Sequence, residues 1–136
     1  MKNYLIKTLN GMALGLFSSL IIGLILKQIG DLSSIEQLSL FGRTAQFMMG
    51  PAIGAAVAHA IGAGPLVIFA SLVTGAMGAG TVKFVEGVAT IGIGEPVGAF
   101  VAALIGAEIG KRITGKTKVD IVLVPAITII VGSLAG

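Results

Sequence analysis

Apolar positions in this chain run in long unbroken blocks rather than in the stripes of an amphipathic element. Thr8 to Leu26 gives 19 residues without a charge, and Thr44 to Val82 gives 39. A bilayer crossing takes ~20 apolar residues, so the first block predicts one transmembrane helix and the second predicts two. The longer block must fold back, and Gly62-Ala63-Gly64-Pro65 supplies the turn, because Gly permits positive φ and Pro65 suits the first turn of the next helix. A fourth span is predicted from about Pro96 to Gly110. A fifth starts at Ile121 and is still apolar at Gly136, sixteen residues on. Before span four, Gly92-Ile93-Gly94-Glu95-Pro96 loosens the backbone and removes an N–H, which predicts a broken or re-entrant segment around 88–96. The expected fold class is all-α: a polytopic transmembrane helical protein of about five spans. Residues 1–136 are read as a single transmembrane domain, and the apolar run at the end suggests the N-terminal part of a longer protein. The first span exceeds the ~7–15 apolar residues of a signal peptide and has no small-residue cleavage site at Lys27-Gln28-Ile29-Gly30, so it reads as an uncleaved anchor.

Composition agrees with a membrane class. The chain is 55% hydrophobic, with nine Lys or Arg and six Asp or Glu, which is too few charges for an ordinary soluble domain. Cys and Trp are absent, excluding disulfide and thiolate chemistry; a lone His cannot furnish a histidine metal site, so no metal or cofactor is expected. One Tyr and six Phe offer little stacking surface for nucleic acid. No Walker loop, nucleophile elbow or His-Glu-x-x-His stretch occurs, and no residue set is self-sufficiently catalytic. The charges also orient the chain. With the N-terminus inside, the inner side holds Lys2, Lys7, Lys111, Arg112, Lys116 and Lys118, and the outer side only Lys27, Arg43 and Lys83, which favours a cytoplasmic N-terminus.

Small residues predict where helices meet. Gly94, Gly98, Ala102, Gly106 and Gly110 recur every four residues, with Ala99, Ala103 and Ala107 beside them; Gly50, Gly54, Ala58 and Gly62 form a shorter ridge. Residues 54–63 match residues 98–107 at seven of ten positions. Two readings stay open: parallel repeats of the kind transporters use, or self-similarity inherent in a Gly/Ala-rich chain.

An ionisable group at membrane depth is a functional candidate. Glu95 is the main one, flanked by Gly94 and Pro96. Its carboxylate and the free carbonyls of a broken segment can accept hydrogen bonds from a polyhydroxylated solute; alternatively it caps a Pro-initiated helix and favours its dipole. His59 is either a ligand donor or proton carrier, or a polar group bonding across helices. Gln46 could face the same cavity as Glu95. Lys83 and Glu86 are spaced to pair at the outer mouth, and Glu108 is spaced to pair with Lys111 or Arg112 across one helical turn.

The block Gly94-Glu95-Pro96-Val97-Gly98-Ala99-Phe100-Val101 through Glu108-Ile109-Gly110-Lys111, with Thr114-Gly115-Lys116-Thr117-Lys118-Val119-Asp120-Ile121, resembles the enzyme IIC membrane proteins of the bacterial phosphotransferase system, in their compact second family. Met49-Gly50-Pro51-Ala52-Ile53-Gly54 and Met12-Ala13-Leu14-Gly15-Leu16-Phe17 are similar too. The resemblance implies a permease-like component of the bacterial inner membrane that binds and translocates a small polar solute such as a sugar, working with separate IIA and IIB proteins that carry out phosphotransfer. Related sugar permeases carry Gly-Ile-Thr-Glu-Pro with the Glu against the sugar; here Gly94 stands where that motif has Thr. Either self-association or a missing C-terminal half would complete the transport unit. The rival readings are a non-transporting scaffold or lipid-binding regulator assembled through the glycine faces, and a glycine-zipper pore.

Overall fold

No proline occurs before Pro51, and the first apolar block propagates as one helix far beyond its uncharged core. In the computed structural model, which describes residues 2–114 and 120–135 apart from the side chains at 83, 85, 89, 120–122 and 135, this helix runs Lys2–Leu32. It comprises α1 (Lys2–Leu16), a π-helical turn (Phe17–Ile21) and α2 (Ile22–Leu32). At the π turn, Ser18 and Ser19 hydroxyls donate to the Leu14 and Gly15 carbonyls, both at 2.7 Å, drawing main-chain acceptors away from the regular ladder.

The chain reverses at Ser33–Ile35, and α3 (Glu36–Phe47) returns along α2, with Gly23 against Gly42 and Gly30 against Ser39. The expected pair of helices in 44–82 is instead three pieces: the end of α3, α4 (Met49–Ala60) and α5 (Pro65–Ala79). Pro51 explains the extra break. It cannot donate to the Phe47 carbonyl four residues back and its ring crowds that carbonyl, so it sits in the first turn of a new helix. The predicted reversal at 62–65 is present: Gly62 takes φ 78°, the Ala63 amide donates to the Ala58 carbonyl at 3.1 Å, and Pro65 opens α5.

After α5 the backbone leaves the helix at Gly80 (φ 75°) and forms an antiparallel hairpin, β1 (Val82–Val85) and β2 (Val88–Ile91). Glu86 and Gly87, both at positive φ, make its two-residue turn. The segment around 88–96 is thus non-helical, as expected, but half of it is strand. α6 (Pro96–Ile113) and α7 (Asp120–Ala135) complete the fold, so the all-helical class holds with one hairpin added.

Each helix runs antiparallel to the one it follows back along. Gly54 lies against Ser71 and Gly75, Gly98 against Gly78, and Gly106 against Thr128 and Gly132, so α4 and α6 are parallel to each other and flank α5. The long glycine ridge of α6 fills the seam between α5 and α7, where a Cβ at any of its glycines would meet the neighbouring helix within contact distance. Ala99, Ala103 and Ala107 are fully buried beside it, the first two with Met49, Ile53 and Val57 and the third with Ala58, Val67 and Val124. Of the shorter ridge, Gly50 and Gly54 pack on α5, whereas Gly62 faces open space. Among the described residues one helix, Lys2–Leu32, is long and apolar enough to cross a membrane; Pro65–Ala79 and Leu123–Leu134 are shorter apolar helices.

Candidate functional site

Glu95 is held where three pieces of irregular backbone converge. The Gly92 amide donates to the Thr81 carbonyl at 2.7 Å, the Thr81 hydroxyl to the Ile93 carbonyl at 3.4 Å, and the Glu95 amide to the Ala79 carbonyl at 2.9 Å. These bonds pin residues 92–95 to the end of α5. Gly94 makes the approach feasible: its φ is 87°, and a Cβ there would collide with the Ala79 backbone. Pro96 occupies the first turn of α6, where its missing N–H costs nothing.

The Glu95 side chain then folds over the start of α6. Oε1 accepts from the Val97 amide at 2.6 Å and Oε2 from the Gly98 amide at 2.7 Å, so the carboxylate sits at the positive end of the helix dipole with both oxygens fixed. It remains solvent-exposed and borders a cavity of about 330 Å³ lined also by Ala79, Gly80, Thr90, Ile91 and Gly94. A carboxylate oxygen holding one amide keeps acceptor capacity for a ligand hydroxyl. The volume falls at the small end of ligand pockets.

The five candidate residues divide. Glu95, Gly94 and Pro96 form this corner of the molecule, but Gln46 and His59 are elsewhere. Gln46 is buried on α3 against Gly23 of α2, in a hairpin that makes no close packing with α5 or α6. His59 is exposed near the end of α4, about 14 Å of helix rise beyond Gly50, the residue of α4 that touches Thr81. It borders a separate groove with Lys7 and Asn10. The Glu108 pairing also differs from expectation: Glu108 lies close enough to Tyr4 to interact with it electrostatically, and Lys111 Nζ donates to the Ile61 carbonyl at 2.7 Å. The Lys83 side chain, Lys116 and Lys118 lie outside the described residues.

Thr90, Ala79 and Gly80 join the site without having been singled out in the sequence. A signal for the strands existed: Val82-Lys83-Phe84-Val85 and Val88-Ala89-Thr90-Ile91 are β-prone runs separated by two residues ending in Gly.

A family model described as "Phosphotransferase system, EIIC" matches residues 6–136. The chain belongs to the EIIC family. EIIC proteins are the membrane components of phosphotransferase transport systems, which act with IIA and IIB partners on a sugar. No curated protein and no solved structure matches this EIIC chain.

Proposed function

We propose that this EIIC chain binds a small polyhydroxylated solute, a sugar or sugar alcohol, at the Glu95 cavity and translocates it across the bacterial inner membrane. The supporting observation is the carboxylate of Glu95, fixed through both oxygens on the first amides of α6 and bordering a cavity built from broken backbone. A preorganised acceptor of this kind suits ligand hydroxyls and loses little freedom on binding. Pro96 and Gly94 set its position. Phosphotransfer falls to the IIA and IIB partners, since the chain has no Cys and no catalytic set. Movement of one packed bundle against another would alternate access to the cavity, with five spans, a cytoplasmic N-terminus, and a second copy completing the unit.

The same hydrogen bonds favour a second reading, in which Glu95 only caps α6 within a scaffold. Two substitutions separate them. Glu95→Ser keeps a capping oxygen without the carboxylate. If Glu95 binds solute, Glu95→Ser and Glu95→Gln weaken binding of a monosaccharide and hexitol panel about tenfold or more, as loss of a charge-assisted bond predicts, while membrane insertion is retained. Unchanged binding in both variants assigns Glu95 to the cap alone.

A further inference from the structure

The groove that holds His59 is distant from the Glu95 cavity and differs from it in chemistry. It lies between α1 and α4, encloses about 690 Å³, and is bordered by Lys7, Asn10, Leu14, Ala55, Ala56 and His59, with α5 contributing only Ile68. We propose that this groove binds an acidic phospholipid, its phosphate held by Lys7 and His59 and an acyl chain lying along Leu14.

Three observations carry the assignment. First, the polar groups sit together at one end. Lys7, Asn10 and His59 come from two helices, all three are exposed, and among the described residues no carboxylate borders the groove. The other charged groups known to be engaged at this end are turned to different partners, Glu108 to Tyr4 and Lys111 to the Ile61 carbonyl. Two donors therefore face an open space with no carboxylate among its described lining residues, which is the arrangement a phosphate diester satisfies.

Second, the remainder of the wall is apolar. Ala55 and Ala56 leave room on α4, and Leu14 is 67% exposed. A second cavity of about 560 Å³ shares Asn10 and Leu14 with the first and is bordered also by Ala13 and Phe17, which extends the apolar track away from Lys7. A soluble sugar or a free phosphate has nothing to place there; an acyl chain does.

Third, the sequence puts the polar end at the edge of the first predicted span. Lys7 directly precedes the uncharged block that starts at Thr8, and Tyr4 is one turn earlier. Basic pockets between helices at an inner membrane surface suit anionic headgroups.

The experiment uses the full chain in neutral detergent, followed by native mass spectrometry and thermal unfolding with dioleoylphosphatidylglycerol, dioleoylphosphatidylcholine or inorganic phosphate. The expected result is retention of phosphatidylglycerol with a raised unfolding temperature, and neither effect with phosphatidylcholine or inorganic phosphate. Lys7→Gln weakens phosphatidylglycerol binding roughly fivefold, Lys7→Gln with His59→Gln abolishes the preference over phosphatidylcholine, and Lys27→Gln leaves it unchanged. Ala55→Leu, which fills the apolar floor and keeps Lys7 and His59, also weakens binding. Equal retention of phosphatidylcholine, stabilisation by inorganic phosphate alone, or an unchanged preference in the double variant would overturn the proposal.

Discussion

Thr128 shows what close packing costs a polar side chain. It is fully buried on α7, and its Oγ1 has no hydrogen-bond partner among the described residues. A buried unpaired hydroxyl costs about 1–3 kcal/mol, so Thr128→Val, nearly isosteric, should raise the unfolding temperature; a fall would mean that the hydroxyl is paired.

Between elements, contact is set by the absence of side chains. Gly98 and Gly78 bring α6 and α5 to backbone contact, and a Leu at 98 has no space unless the helices separate. Gly98→Leu should cost about 1–3 kcal/mol of stability or more, whereas Gly92→Ala, at a site with open space and negative φ, should be nearly silent. Comparable thermal stability of the two variants would contradict this packing. The same spacing made the ridges readable in advance: Gly and Ala every four residues on a long apolar run have few other uses. The turn at 62–65 was readable because Gly and Pro act locally. The break at Met48 was not, since Pro51 could equally have sat inside a kinked span, and its placement in a first turn depends on α3 docking along α2. The hairpin escaped because its strands are only four residues each and sit in a stretch whose glycines suggested a loop. Glu95 was legible as a residue of interest from the Glu-Pro pair, while its partners Thr90 and Ala79 come together only through the hairpin and the end of α5.

At the scale of the molecule, α1 and α2 form one continuous rod of 31 residues, whereas α5 has 15. At 1.5 Å per residue the rod rises ~46 Å and α5 ~22 Å, against a hydrocarbon layer of ~30 Å. If α5 is a span, lipid beside the rod meets an overlong surface that tilting can accommodate, while lipid beside α5 meets a short one and must compress, at a cost of fractions of a kcal/mol per Å of mismatch. Reconstituted in vesicles of graded acyl length, a protein with so short a span should unfold at higher temperature in thinner bilayers than in thick ones, and a flat or inverted dependence would show that α5 is covered by protein rather than lipid. A span of that length would make the lipid composition of the host cell a condition of the protein's stability.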